Sequence, residues 1–441
     1  MKKYIAALGL FAVVGGGGFA FYASRGDVAR LTDEQSTGRE PVFTAARPES
    51  IPTVAIADVA GWQKNDAPVA ANGLQVSRFA EGLDHPRSLY RLPNGDILVA
   101  ETNSPKRTDG GITGMVMRFF MDKAGAGSAS ANRITLLRDK DGDGVPETRS
   151  PFLTGLNSPY GMALIGKTLY VANTDAVLAF PYTDGALKIS DKGRKIVNLP
   201  HGAPNNHWVR NLLASPDGKY LYVSIGSATN IADEGLEIET NRAAIVEIDL
   251  TTGDNRVFAS GLRNPVGMAW QPGTSNLWAV VNERDMLGSD LVPDYLTRVE
   301  FGAFYGWPWN YWGGYEDKRV EPRRPEVREY TKRPDYALGN HVAPLGLTFT
   351  QELKLGAPFD NGAIVGLHGS WNRKPVSGYK VAYIAFGKDL RPTGHPVDLL
   401  TGFLTADGKA KGRPVDVMAD KAGNLLVSDD VGGIIWKVSR R

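Results

Sequence analysis

The 441-residue chain contains no cysteine. This absence excludes disulfides, thiolate-bound zinc and iron–sulfur sites, a cysteine nucleophile and a lipid-modified N-terminal cysteine. A surplus of either charge is also missing, because 50 lysines and arginines stand against 48 aspartates and glutamates. Without a basic surplus or stripe we expect no nucleic-acid partner.

Sustained helical periodicity is absent as well. The apolar residues instead form short stretches rich in Val, Ile, Leu, Tyr and Trp, separated by turn residues among which 51 glycines and 27 prolines are prominent. Alternating strands with frequent turns are typical of all-β domains.

The N-terminus has the layout of an export segment. Lys2 and Lys3 precede a stretch from Tyr4 to Ser24 that carries no charge. We therefore predict a signal peptide or N-terminal anchor over residues 1–26 and a periplasmic location, with membrane contact only through an uncleaved anchor. Residues 27–75, which are mixed in composition and punctuated by proline, are predicted to be a linker.

One unit recurs six times along the rest of the chain. It consists of Gly-Leu-x-x-Pro or an equivalent, a short apolar strand, a Gly, Asn or Asp turn and a second strand. The copies begin at Gly82, Gly155, Asn206, Gly261, His341 and Gly412. Repeated hairpins at this wide spacing predict a six-bladed β-propeller over residues 76–441.

Equivalent positions of a propeller lie at equivalent heights around its central channel. The starts and ends of the copies should therefore bring imidazole, guanidinium, amide and carboxylate groups to one mouth of the channel, which is the setting of a ligand site. The residues concerned are Asn173, His207, Arg263, Asn264, Asn282 to Asp285, His341, His368, Arg413, Asp429 and Asp430.

Several longer motifs carry a resemblance to a known family. They are His207 to Ile225, Gly261 to Pro265, Asn282 to Asp285, Phe304 to Pro308, His368 to Arg373 and Gly412 to Asp416. From about Gly82 onward the chain resembles the quinoprotein sugar dehydrogenases, which use pyrroloquinoline quinone (PQQ) and calcium. The forms of two motifs look closer to the sorbosone and pyranose dehydrogenase branch than to the glucose enzymes.

The resemblance implies oxidation of a sugar or sugar-like substrate by hydride transfer to PQQ. Electrons would then pass to an external acceptor, a quinone or a cytochrome. His207 matches the family's general base, whose ordinary pKa near 6.5 suits proton removal. Arg263 would polarise the quinone as the hydride arrives.

Other roles carry over residue by residue. The implied cofactor contacts are Arg263, Asn264, Arg284, His368, Arg373 and Arg413. The resemblance also implies that backbone carbonyls of residues 283–285 bind calcium, and the carboxylates of Asp285 and Asp290 could strengthen such a site. Aromatic faces stack on the C–H faces of sugars, so Trp307 and Trp309 are candidate sugar-stacking residues, although core packing between blades would use the same residues. One departure is Val415, which stands where the family has a second cofactor arginine.

A separate acidic turn carries the opening of a calcium loop. Asp139, Asp141 and Asp143 alternate and Gly144 follows, but Ser150 stands where an EF-hand requires glutamate. We interpret the segment as an acidic β-turn that could hold a structural ion.

Two other functions are compatible with the same pattern. A six-bladed calcium-dependent lactone hydrolase would use a carboxylate-held metal to activate water. A non-catalytic propeller could have kept the scaffold and lost cofactor binding, as the Val415 departure suggests.

Overall fold

The computed structural model describes residues 26–105 and 122–441. The predicted signal or anchor, apart from Gly26, lies outside these ranges. The described part is built from strands, with one short helix, α1 (Asp33–Ser36), and 3-10 turns at Glu237–Glu239, Pro325–Tyr330 and Thr350–Glu352. None of the described helices is long and apolar enough to cross a membrane.

The strands form six blade sheets and one additional two-stranded sheet. The N-terminal part contributes β1 (Thr37–Gly38), β2 (Val69–Ala70) and β3 (Leu74–Ala80). Blade 1 contains β4 (Pro86–Arg91), β5 (Ile97–Glu101), β6 (Arg133–Arg138) and β7 (Thr148–Leu153). Blade 2 contains β8 (Met162–Ile165), β9 (Thr168–Ala172), β10 (Ala176–Pro181) and β11 (Arg194–Asn198). Blade 3 contains β12 (Arg210–Ala214), β13 (Tyr220–Ile225), β14 (Ala244–Asp249) and β15 (Asn255–Ser260).

The second half of the ring follows the same plan. Blade 4 contains β16 (Asn264–Trp270), β17 (Leu277–Asn282) and β18 (Pro293–Val299) and, after a small hairpin of β19 (Asn310–Tyr311) and β20 (Tyr315–Glu316), β21 (Tyr336–Asn340). Blade 5 contains β22 (Pro344–Phe349), β23 (Gly362–Leu367), β24 (Lys380–Phe386) and β25 (Pro392–Thr401). Blade 6 contains β26 (Pro414–Ala419), β27 (Leu425–Asp429) and β28 (Ile434–Arg440).

Each blade is an antiparallel meander, so the predicted six-bladed propeller is confirmed. The ring closes because β3, from the start of the described chain, supplies the fourth strand of blade 6 and pairs with β28, with Val76 opposite Val438. Strands β1 and β2 extend blades 4 and 5 at their outer edges. Strand pairing thus closes a ring that has no cysteine to cross-link it.

The core is divided among the interfaces between neighbouring blades. Six clusters of buried apolar side chains each join two adjacent blades, with the fully buried Trp278 between blades 4 and 5 and Trp436 between blades 5 and 6. Near the axis the innermost strands approach closely. A Cβ at Gly346 would lie 2.6 Å from the backbone oxygen of Val415, which explains the glycine there.

The predicted linker is docked on the propeller rather than free. Backbone amides of Arg30 and Leu31 donate to the buried carboxylate of Asp290, 2.9–3.2 Å away. The indole of Trp62 donates to Asp429 at 2.7 Å. Residues 26–62, the N-terminal strap, therefore cover blade loops on one face although most of the segment has no regular secondary structure.

A candidate active site at the channel mouth

The first residues of the innermost strands lie at one end of the channel. Asn264, which begins β16, is paired with Asn282 at the end of β17. Pro414, which begins β26, is paired with Asp429 at the end of β27. The starts and ends of the repeat copies therefore meet at the same face, the channel mouth, as the repeat pattern predicts.

His207 is held there in a defined tautomer. Its Nδ1 lies 2.8 Å from the backbone oxygen of Ser227. A carbonyl can only accept, so Nδ1 carries the proton and Nε2 keeps its lone pair. Burial, reinforced by the positive charge of Arg263, lowers the pKa of His207 to about 3. The imidazole is therefore neutral at physiological pH, but it is a weaker base than the expected pKa near 6.5 implies.

Arg263 is buried beside this histidine, and all its donors are used within the protein. Nε donates to the backbone oxygen of Asn230 and Nη2 to its side-chain oxygen, at 3.1 and 2.9 Å. Nη1 donates to the carbonyls of Glu283 and Asn282 at 2.5 and 3.5 Å, and Nη2 also contacts Asp285 at 3.0 Å. The guanidinium is thus fixed rigidly, with its fork committed to protein oxygens.

Asp285 and His341 complete this side of the mouth. The Nδ1 of His341 lies 3.5 Å from Asp285, while its Nε2 donates to the backbone oxygen of Leu291 at 2.6 Å. Burial, the largest single influence, favours a raised pKa for Asp285, but the charge of Arg263 together with the hydrogen bond and charge of His341 outweighs it, and the pKa is lowered. Asp285 is therefore ionised and is the partner of Arg263 and His341.

Asn264 sits close to His207. A Cβ at Gly226 would lie 2.4 Å from both the side-chain oxygen of Asn264 and the Cβ of His207, so the two side chains flank this glycine. The Asn264 oxygen is buried and has no hydrogen-bond partner among the described residues. It is an acceptor available to a ligand.

Arg413 lies on the other side of the mouth in a different state. Its residue is 6% exposed and its guanidinium stacks over the ring of Tyr379, 5.1 Å from the centroid. Its Nε and Nη2 are buried without a hydrogen-bond partner in the ranges that the structure covers. A buried guanidinium with free donors is poised for a ligand carboxylate.

His368 and Arg87 are the neighbours of Arg413. Both contact Asp430, His368 through Nε2 at 3.0 Å and Arg87 through Nη1 at 2.5 Å. Burial and the two guanidinium charges outweigh Asp430 and lower the pKa of His368. His368 is therefore a neutral donor whose carboxylate partner comes from the protein.

Arg87 was not among the sequence-predicted site residues. Its guanidinium lies 5.6 Å from the ring of Trp208 and 6.0 Å from that of Tyr160, and its Nε is buried without a partner in the described chain. The repeat contained the signal. In other copies the position after the proline holds an aromatic or aliphatic residue of the channel floor, such as Tyr160 or Val415, whereas the first copy has arginine.

Arg284 and Trp307, both predicted to contact ligands, lie beneath the site. The Arg284 side chain is fully buried and donates to Glu283 at 2.9 Å and to the carbonyls of Pro308 and Asn310 at 2.5 and 2.7 Å. Trp307 is 3% exposed and its indole donates to the backbone oxygen of Asn230 at 2.9 Å. Both residues support the loops that hold Arg263.

Trp309 and Arg373 are not brought into the cluster either. The indole of Trp309 donates to the Pro322 carbonyl at 2.9 Å, and Arg324 covers its ring at 5.4 Å. Arg373 lines a separate cavity of about 320 Å³ between the N-terminal strap and blade 5, together with Lys380. The Nε of Arg373 is buried without a partner in the described residues, but it lies away from the mouth. The predicted ligand roles of Trp309 and Arg373 stay predictions.

The carbonyls predicted for calcium accept hydrogen bonds from arginines. Nη1 of Arg319 donates to the backbone oxygens of Asp285 and Met286 at 3.0 and 2.9 Å, while Arg263 occupies the Glu283 oxygen. Asp290, the second predicted ligand, is committed to the strap amides. As arranged, this loop does not present a vacant donor set for calcium.

The acidic turn between β6 and β7 gathers carboxylates instead, and backbone amides of the turn donate to them, as those of Gly142 and Gly144 do to Asp139 at 2.7 Å. Asp139, Asp141, Asp143 and Glu147 each offer an oxygen, and these atoms all lie within 4.8 Å of one another. It is the one such group of acidic or histidine side chains in the described residues. Glu147, which the sequence analysis missed, supplies the fourth carboxylate, and the turn lies at the end of the propeller opposite the mouth.

A family model described as TrAA12-like matches residues 68–294 and 324–441. The chain belongs to this family. The resemblance to quinoprotein sugar dehydrogenases is confirmed with it, since curated relatives bear such names.

Two relatives of the TrAA12-like chain illustrate the likeness. A pyrroloquinoline quinone-dependent sugar dehydrogenase of Hypocrea jecorina is 24% identical over 423 residues, which span 84% of this chain and 89% of the relative. A pyrroloquinoline quinone-dependent pyranose dehydrogenase of Coprinopsis cinerea is 25% identical over 84% of this chain. The match covers 54% of that longer relative.

Solved structures agree in fold. The calcium structure of the Trichoderma reesei enzyme of carbohydrate-active family AA12 has a TM-score of 0.69 and 21% identity over 85% of this chain and 97% of that one. The holo form of the PQQ domain of the Coprinopsis pyranose dehydrogenase has a TM-score of 0.69 and 20% identity over 88% and 100%.

Proposed function

We propose that this TrAA12-like chain is a PQQ- and calcium-dependent dehydrogenase that oxidises a hydroxyl or aldehyde group of a sugar or sugar-like substrate at the channel mouth. The observation that carries the proposal is the pair of guanidinium groups of Arg87 and Arg413, which keep buried donors without an acceptor in the described residues, at the same mouth as the neutral His207. The PQQ-dependent relatives supply the cofactor class.

The residues present fit PQQ as a ligand. PQQ carries three carboxylates and an orthoquinone, and arginine forks bind planar carboxylates well. Arg413 and Arg87 would hold carboxylates, and Asn264 would accept a hydrogen bond from the bound cofactor. When bound, PQQ would accept the hydride, with its two electrons, from the substrate carbon.

His207 performs the proton chemistry in this proposal. Its Nε2 lone pair removes the proton of the substrate hydroxyl while hydride leaves the same carbon, so that the C–O bond becomes C=O. Asp285 lies near enough for its charge to favour the resulting imidazolium. The fixed charge of Arg263 favours negative charge nearby and thereby stabilises electron density that develops at the mouth.

Two places in the chain are candidates for holding calcium. Carboxylate oxygens are the ligands that calcium prefers, and the acidic turn offers four of them at one point. The loop of residues 283–286 can bind calcium only if Arg263 or Arg319 stops donating to its backbone carbonyls. Calcium therefore has a structural position in this proposal, and no chemical step depends on it.

Reconstitution tests the proposed function. The purified chain with PQQ and calcium should reduce an artificial electron acceptor when aldoses are supplied, and His207→Ala should bind PQQ but lose turnover. Lactone hydrolysis without PQQ would favour the hydrolase alternative. Failure to bind PQQ in calorimetry would support the non-catalytic alternative.

A further inference from the structure

Four large apolar side chains are exposed together on the mouth face. Val28, Ile51, Val54 and Trp371 are 51%, 53%, 37% and 39% exposed. Three hydrogen bonds donated by backbone amides join the segments that carry these residues. The amide of Asp27 donates to the Thr53 hydroxyl at 2.6 Å, the amide of Ala55 to the Trp371 carbonyl at 2.9 Å, and the amide of Ala29 to the Lys374 carbonyl at 2.8 Å. We call these four residues the rim patch.

The described chain begins at the rim patch. A Cβ at Gly26 would lie 2.8 Å from the hydroxyl oxygen of Thr53, the residue that precedes Val54. The sequence that precedes Gly26 contains the uncharged apolar stretch Tyr4 to Ser24. A segment suited to lipid therefore joins the folded ring at its exposed apolar patch.

Two exposed cations border the patch. Lys374 accepts the hydrogen bond from the amide of Ala29, and Arg30 follows Ala29 in the chain. Both cationic residues are exposed. Tryptophan together with lysine or arginine beside apolar side chains is typical of protein surfaces at a lipid–water interface, where cations meet anionic headgroups.

We propose that the rim patch rests on an anionic lipid surface, so that the mouth face of the propeller is held beside the membrane. The patch lies on the strap and on the loop that joins the second and third strands of blade 5, outside the innermost strands that surround the channel. Contact at this edge therefore involves none of the innermost strands that surround the channel.

The absence of native cysteine allows single-site labelling of the full chain. Val54→Cys places a fluorescent label in the rim patch, and Val145→Cys places it at a 56% exposed valine on the opposite face. Vesicles of phosphatidylcholine and phosphatidylglycerol should reduce iodide quenching several-fold at position 54 and leave position 145 unchanged. Equal accessibility at both positions overturns the proposal.

Val28→Cys separates the rim patch from a simple tether. Protection at position 28 alone, which an adjacent lipid-embedded segment produces without any docking, overturns the proposal. Protection at position 54 that appears without vesicles on raising the protein concentration indicates self-association and overturns it as well.

A second substitution tests the contact directly. Trp371→Glu in the Val54→Cys chain should restore quenching in the presence of vesicles, whereas Phe301→Glu, at a 60% exposed aromatic residue outside the patch, should not. Protection that persists in Trp371→Glu contradicts the proposal. The readout requires neither PQQ nor sugar, so its failure leaves the proposed function untouched.

Discussion

The two sides of the channel mouth carry the same side-chain types in opposite states of hydrogen bonding. On the side of blades 3 and 4, every donor of Arg263 has a protein acceptor. On the side of blades 6 and 1, Arg413 has two nitrogens without an acceptor in the described chain and Arg87 has one. Arg263 and Arg413 are both buried, so the difference between these two lies in pairing rather than in exposure.

The difference separates scaffold from binding surface. A buried donor without a partner costs about 1–3 kcal/mol, so natural proteins seldom keep one without a ligand, an ion or water to satisfy it. A fully paired arginine contributes rigidity and a fixed charge instead. Under the proposed function, the comparison gives Arg263 a role in positioning and electrostatics, and Arg413 with Arg87 the role of holding the cofactor.

The largest effect is expected when Arg263, on the side of blades 3 and 4, is replaced. Arg263→Gln leaves Asp285 buried without its main cationic partner, and we expect the free energy of unfolding of the cofactor-free chain to fall by about 3–5 kcal/mol. Urea denaturation followed by tryptophan fluorescence measures it. Arg413→Gln, which removes unpaired donors, should leave the stability unchanged or raise it. Equal losses in the two variants would refute the distinction.

His207→Gln should lower kcat of the PQQ-loaded chain about 100-fold, at the low end for a general base, because burial makes this imidazole a weak one. The variant should bind PQQ as the parent does, since the histidine is assigned no carboxylate contact. Steady-state kinetics with an artificial acceptor check the first value and calorimetry the second. A variant that keeps full turnover removes His207 from its role.

Arg87→Gln should weaken PQQ binding about tenfold, the equivalent of one charge-assisted hydrogen bond. The loss of PQQ affinity should be smaller than that in Arg413→Gln, because one nitrogen of Arg87 already donates a hydrogen bond to Asp430. A competition titration of both variants orders them. If Arg87→Gln has no effect on PQQ binding, only residues of blades 5 and 6 remain candidates for the cofactor-binding surface on this side.

The smallest effect concerns pH. The pKa of His207 is lowered to about 3 in the folded chain, so its neutral form persists as pH falls through 6.5. We expect kcat/KM to show no inflection near pH 6.5 that is due to this residue. Because the unfolded chain takes up the proton first, the contribution of His207 to stability should decline as pH falls below about 6.5. A kcat/KM inflection near 6.5 that His207→Gln abolishes would contradict the burial argument.

The repeat pattern predicted the blades and the mouth because both depend on local turn chemistry and on equivalence between copies. It also contained the anomaly of Arg87. It could not show that Arg263 and Arg284 are saturated, because their acceptors are mostly backbone carbonyls brought together by loops. Nor could it show the docking of the strap, since Arg30 and Asp290 are 260 residues apart.

The most direct test is a PQQ titration of Arg413→Gln against Arg256→Gln in the presence of calcium. Arg256 is a matched control because its exposed side chain pairs with Glu247 on blade 3. The account predicts PQQ binding by the parent and by Arg256→Gln, and affinity about 10–100-fold weaker in Arg413→Gln. Undiminished binding by Arg413→Gln, or no binding by the parent, would contradict the claim that the cofactor is held by arginine donors that have no acceptor in the described part of the chain.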